Sequence, residues 1–271
     1  MGAQPTLAEG LSTWTPGRGL VAVTGSPADG PLLVADSWLV GEGRVRGYGL
    51  HRERFLGACA QAGGGPGPRG LVAFWQDVTA ALPRTGQWFP RVELVAGSLR
   101  LRLRPAPPLG TEVRLWSVGR PDGRTAARRK GPDLELLAGV RGRALEAGAQ
   151  DAVLVGPSGE VLESATASVL WWEDDTLCLP PPRLPVLPGV TVALVRERAE
   201  RLGIPVAARE RTLSELDGRE VWLVNALHGI RPVTGWTGGT MTAGPAVRAA
   251  RWREWLDDLS EPLPDFQPYA K

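Results

Sequence analysis

Gly148-Ala149-Gln150-Asp151-Ala152-Val153-Leu154-Val155-Gly156-Pro157-Ser158-Gly159-Glu160-Val161-Leu162-Glu163-Ser164 decides the fold class. Two short apolar runs flank Gly-Pro-Ser-Gly, a sequence that turns a chain back on itself, so residues 152–155 and 161–172 read as strands. Upstream, residues 134–147 carry Leu134, Leu137, Arg141, Ala144 and Leu145 at helical spacing. Downstream, a helix at 190–202 ends at Gly203, a strand follows at 220–225, and a helix with Trp252 and Trp255 spans 246–259. Strands that alternate with helices give an α+β or mixed α/β fold. No glycine fingerprint stands between a strand and a helix, which weighs against a dinucleotide-binding domain.

The N-terminal half reads more irregularly. Residues 19–25 and 32–40 are expected strands, and 51–61 and 71–82 expected helices. Between those helices, residues 63–70 are a Gly/Pro connection whose prolines remove the donors a phosphate cradle needs. At 98–104, Leu99, Leu101 and Leu103 alternate with Arg100, Arg102 and Arg104, so a strand has one apolar side and one solvated or ligand-facing side. The polar run 119–129 is the expected linker between a small N-terminal α/β domain, 1–118, and a larger C-terminal domain, 130–271.

Composition narrows the function. The 271 residues are 43% apolar with a net charge of +2, which excludes a disordered chain and argues against a nucleic-acid binder. There is no run of 18 apolar residues, the start lacks a signal-peptide pattern, and Cys59 and Cys178 form no metal motif or disulfide framework. A soluble cytoplasmic protein with no membrane or metal partner is expected.

Of the 31 basic residues only Lys130 and Lys271 are lysines. Arginine carries charge equally well but stays protonated, whereas a lysine amine deprotonates and attacks carbonyls. Lys130 is therefore either a surface residue or a nucleophile. Three other segments suit a phosphorylated pyridine aldehyde. Gly189-Val190-Thr191 starts a helix whose free N–H groups and positive dipole end attract an anion. Asn225-Ala226 opens a turn after a strand and offers further donors. Glu163, in a strand among apolar neighbours, needs a cation, which is either an arginine or a protonated ring nitrogen. Arg54 has the fork for a phosphate, and Arg91 is either structural or a clamp for a substrate carboxylate.

Taken in order, these segments resemble the class IV aminotransferases, the fold-type IV enzymes that use pyridoxal phosphate. His51-Arg52-Glu53-Arg54 resembles the family's His-x-x-Arg, Lys130-Gly131-Pro132-Asp133 its Lys-x-x-Asn, and 148–163 its stretch ending in a carboxylate. Pro188-Gly189-Val190-Thr191 and 225–233 resemble its phosphate-binding turns. The resemblance implies a two-domain homodimer with pyridoxal 5'-phosphate on Lys130 as Schiff-base residue. Glu163 would then meet the ring nitrogen, while Arg54, Gly189, Val190, Thr191, Asn225 and Ala226 meet the phosphate. It implies transfer of an amino group between an amino acid and a 2-oxo acid. The alternative is an aminodeoxychorismate-lyase-like reaction releasing pyruvate, and a third reading is a catalytically silent binding relative. The family's Tyr-Gly-Asp-Gly-x-Phe-Glu segment is not recognisable in 32–40. Ser168 and Asp133 stand where Asn is usual, and Val192 where Arg is common.

Overall fold

The computed structural model describes residues 9–25 and 30–265, and its contacts divide the chain into two units. The first comprises Met1–Pro108, Arg129–Pro132 and Leu259–Lys271. Its strands are β1 (Gly10–Thr15), β2 (Gly19–Ala22), β3 (Leu32–Ser37), β4 (Val40–Gly41), β5 (Arg44–Val45), β6 (Gln87–Trp88), β7 (Arg91–Val95) and β8 (Ser98–Leu103). Five of them form a sheet in the order β2-β1-β8-β7-β3. Helix α1 (Tyr48–Ala62) buries His51, Phe55 and Cys59 at four-residue intervals and packs on β3. Helix α2 (Pro68–Ala81) turns Leu71, Phe74, Trp75 and Val78 inward, the spacing of an amphipathic helix. Pro68 occupies its first turn, where a missing N–H costs nothing, so the connection runs 63–67 and not to 70. The expected strand 32–40 is broken after Ser37, because Trp38 and Leu39 turn away before β4.

The two sides of β8 follow the alternation only in part. Leu99, Leu101 and Leu103 are buried as expected, but Arg100 is buried too, at 5% exposure. In the register, Arg100 lies opposite the buried Glu93 of β7, and Arg91 lies opposite Arg102. Glu93 draws the arginines down onto the sheet, accepting from Arg91 Nε at 2.6 Å and from Arg102 Nε at 3.4 Å.

The second unit comprises Leu109–Arg128 and Asp133–Asp258. It holds β9 (Val113–Pro121), α3 (Leu134–Glu146), β10 (Asp151–Val155), β11 (Val161–Ser164), β12 (Ser168–Glu173), β13 (Thr176–Leu179), α4 (Val190–Arg201), β14 (Val206–Ala208), β15 (Val221–Asn225), β16 (Gly229–Thr237) and α5 (Ala249–Asp258). Its sheet runs β11-β10-β9-β16-β15-β12-β13-β14, and β11 also pairs with β12. Six strands thus close into a barrel, filled by Leu115, Val153, Val169, Trp171, Leu223 and Val233 among others. Closure is why β10, β11 and β12 read as apolar runs. Both faces are buried, the inner by the barrel filling and the outer by α3 on β10 and by Arg124 and Leu187 at Glu163 of β11. On the outside, Trp172, Trp222 and Trp252 meet at centroid distances of 5.5–5.9 Å. Finally β17 (Glu261–Pro262) pairs with β5 in the first unit.

The mixed α/β class is the one expected. The unit borders fall elsewhere than at 118 and 130. Residues 119–121 belong to strand β9, and 122–128 are anchored in the second unit, with Arg124 at 4% side-chain exposure. No described helix is long and apolar enough to cross a membrane.

Candidate active site

In the first unit one strand organises the basic residues. The carbonyl of Lys130 accepts the N–H of Ala35 at 2.7 Å, so the half-buried lysine segment docks along the open edge of β3. Gly131 permits this approach. It has φ +137°, and a methyl group there would stand 2.8–2.9 Å from backbone atoms of Val34 and Ala35.

The next residue on β3, Asp36, is fully buried and takes Arg54 in a two-pronged grip, from Nε and Nη2, each at 2.8 Å. It also accepts from His51 Nδ1 at 2.9 Å. Burial alone would raise the Asp36 pKa, but Arg54 and His51 overcome it and hold the carboxyl far below its usual range. Burial pushes the His51 pKa down against the pull of Asp36, and the charge of Lys130 bears on the same ring. Arg54 and Lys130 are thus gathered on neighbouring residues of β3. Arg91 is committed instead to Glu93. Lys271 lies outside the described residues.

In the second unit, Glu163, Ser168 and Val224 are directly opposite one another across β11, β12 and β15. Gly189 joins this row from the start of α4, where a methyl group would reach within 3.0 Å of the Ser168 hydroxyl. Thr191 and Val190 are each 6% exposed, and no side chain caps the helix start. The first-turn N–H groups and the positive helix end make an anion site. Asn225 follows Val224, but its amide is used by its own turn: Oδ1 accepts the N–H groups of Leu227 and His228, and Nδ2 donates to Thr166 O. Two donors expected for a ligand are therefore spent inside the turn, and Ala226 is left to present its N–H.

Glu163 is 5% exposed, and Arg124 and the N–H of Leu187 both donate to its Oε1. Arg124 also grips Asp122 through Nε at 2.8 Å and gives Nη2 to Pro185 O at 3.0 Å. Both alternatives for Glu163 thus meet: an arginine is present, yet it serves two carboxylates and leaves Oε2 without a hydrogen bond to a described residue. Burial pushes the Glu163 pKa up, with Arg124 pulling the other way.

Asp133 is the N-cap of α3, and its carboxylate accepts from the backbone of Thr125 and Ala126 at 3.0 and 2.9 Å. That bracing fixes the strand-to-lysine segment. Asp36 and Arg124 were not singled out in the sequence. Asp36 carried a readable signal, a lone carboxylate within the apolar run 32–40, the same reasoning that picks out Glu163.

The family model for class IV amino-transferases matches residues 33–236. Among curated proteins, an aminodeoxychorismate lyase of Vibrio harveyi is 34% identical over 86 residues. The match covers 31% of this chain, which spans about a third (32%) of the lyase's length. Among solved structures, a branched-chain amino acid aminotransferase of Escherichia coli has a TM-score of 0.79 at 16% identity, covering 93% of this chain and 95% of that one. The pyridoxal-phosphate-bound form of a hypothetical aminotransferase from Mycobacterium tuberculosis has a TM-score of 0.73 at 20% identity, covering 92% and 98%. These structural likenesses show a common fold.

Proposed function

The chain belongs to the class IV aminotransferase family, and from that premise we propose that it is a pyridoxal-phosphate-dependent aminotransferase acting between an amino acid and a 2-oxo acid. Bound pyridoxal 5'-phosphate supplies an aldehyde that captures amines and a cationic ring that draws electrons from the substrate carbon beside the nitrogen. Lys130 provides the amine that holds the cofactor. The same amine would serve as the general base at that carbon, its backbone being held on β3.

Glu163 would accept the ring N–H, since Arg124 and Leu187 both donate to its Oε1 and leave the other oxygen for it. Charge arithmetic carries this assignment. Asp122 and Glu163 are two buried carboxylates with one guanidinium between them, so one negative charge is left for a cationic ring. The start of α4 with Gly189, Val190 and the Thr191 hydroxyl, the Ala226 N–H, and Arg54 meet the phosphate, while Asn225 shapes the turn. Of the two alternatives for Arg91, its pairing with Glu93 supports the structural one.

Borohydride reduction of the cofactor-loaded protein followed by peptide mapping tests the assignment, since the chain has only two lysines. Label on Lys130 is expected; label on Lys271, or none, refutes it. On unreduced protein, amino acids should discharge the bound aldehyde in a half-reaction. The match to the Vibrio harveyi lyase favours a second reading, elimination with pyruvate release and no amino acceptor, and pyruvate formed in excess over bound cofactor with the aldehyde retained selects it. We also infer a homodimer, as the family resemblance implies, in the cytoplasm, where the buried thiols of Cys59 and Cys178 stay reduced. Light scattering at twice 28.9 kDa checks the dimer.

A further inference from the structure

The barrel of the second unit has a polar mouth. Asp151 opens β10, Ser164 ends β11, Thr166 leads into β12, Asn225 ends β15 and Arg231 lies near the start of β16. Arg231 stands opposite Leu223, and Leu223 opposite Val169, both part of the barrel filling, so Arg231 is on the inner face. Glu163 and Ser168 belong to the neighbouring row on the outer face. The mouth is therefore separated by the sheet itself from the carboxylate assigned to the ring nitrogen.

Arg231 is 6% exposed, and its Nε has no hydrogen-bond partner among the described residues. Asp151 does not supply one. Its carboxylate takes the Ser164 hydroxyl at 3.0 Å, the Thr166 hydroxyl at 2.5 Å and the Ala152 N–H at 2.8 Å, and reaches Arg231 only through its charge. A guanidinium out of water without acceptors costs several kcal/mol. Two more donors converge on it. His228 Nδ1 accepts the Gly110 N–H at 3.1 Å, so Nε2 carries the ring proton. Gly110 itself lies against the Arg231 side chain. Arg141 of α3 is anchored by Nε to Gln150 O at 3.2 Å, and its charge bears on both His228 and Arg231. Two guanidiniums against one carboxylate leave one positive charge.

We propose that this mouth binds a small oxyanion, a carboxylate or a phosphate group, between Arg231, Arg141 and the Nε2–H of His228. Barrel mouths are common ligand sites, and paired guanidiniums match the geometry of an oxyanion. Arg231 forms the floor, and the exposed Arg141 is the entrance. The site stands independently of the cofactor assignment.

The test follows the His228 imidazole by nitrogen-resolved NMR in protein saturated with pyridoxal phosphate, while inorganic phosphate and, separately, acetate are titrated in. The chain has two histidines, so a His228→Gln spectrum assigns the signal. A saturable shift at His228 is expected, and the anion that saturates at lower concentration identifies the ligand class. Arg141→Ala, at an exposed position that leaves the core intact, should weaken binding about tenfold or more, the loss of a charged hydrogen bond. Arg231→Lys should do at least as much. No saturable shift at millimolar concentrations, an unchanged affinity in Arg141→Ala, or a shift confined to His51 overturns the proposal. If no cofactor binds, the same titration on the unloaded protein, with Arg141→Ala beside it, still reads the mouth, so the two assignments fail separately.

Discussion

Replacing Gly131 by Ala adds one methyl group, and the fold leaves no room for it. The backbone at φ +137° already disfavours any side chain, a strain of about 1–3 kcal/mol. The new carbon would also press to 2.8–2.9 Å from the backbone of Val34 and Ala35, where nothing can rotate aside, adding about 1–3 kcal/mol. Relief requires the segment to lift, which breaks the 2.7 Å bond from Ala35 N–H to Lys130 O and forfeits about 1 kcal/mol. These terms overlap, since lifting removes the clash, so the expected net loss is about 3–4 kcal/mol. Gly148→Ala is the control. That glycine has φ +78° but no neighbour within 4 Å, and should cost only about 1–2 kcal/mol. Urea denaturation of both variants measures the difference, and borohydride trapping measures capture of the cofactor by Lys130. Gly131→Ala should unfold at clearly lower urea and trap poorly, while Gly148→Ala traps normally. Equal midpoints, or wild-type trapping by Gly131→Ala, would refute the docking of Lys130 on β3.

Three further outcomes are expected. Asp36→Asn leaves the Arg54 guanidinium without its buried counter-charge and should cost about 3–5 kcal/mol in denaturant melts; a change below about 1 kcal/mol would mean the ion pair is idle. Glu163→Gln keeps the Asp122–Arg124 pair, so the melt should barely move while the half-reaction with amino acids slows on the order of 10²–10³-fold; an unchanged rate removes Glu163 from the chemistry. Burial pushes both histidine pKa values down, that of His228 to about 4 with Arg231 and Arg141 assisting. Groups held neutral in the fold but protonated when unfolded stabilise fully above the unfolded value near 6.5. That contribution is lost as pH falls from 6.5 towards 4, so urea midpoints should decline across this window, and a flat profile there would contradict it.

Periodicity made the helices legible. Residues 71, 74, 75 and 78 repeat at helical spacing and are the apolar residues that α2 buries, with Thr79 beside them. The apolar strands of the second unit were equally plain, but not that β11 returns to pair with β12, because closure depends on strand direction and register rather than on any local pattern. Glu163 was visible as a carboxylate in apolar surroundings; its partner was not, because Arg124 lies in a run rich in Gly, Pro and Arg that reads as an exposed linker. Composition signals exposure on average, and a single deep ion pair overrides it. Arg100 misled similarly: alternation assigns it to the wet side, while it is buried opposite Glu93. The role of Asn225 turned on a side chain folding back onto its own turn, which residue type alone does not distinguish from a side chain reaching for a ligand.

The pairing of β17 with β5 has a consequence for how the protein is made. Glu261 and Pro262 are translated more than 200 positions after Val45 and Arg44, their partners. A nascent chain still on the ribosome therefore has the ingredients of the barrel before it has the last edge of the N-terminal unit. A chain truncated after residue 258 should carry a protease-resistant barrel and an incomplete, cleavable first unit, and the order in which the two become resistant in the full chain would read out the sequence of assembly.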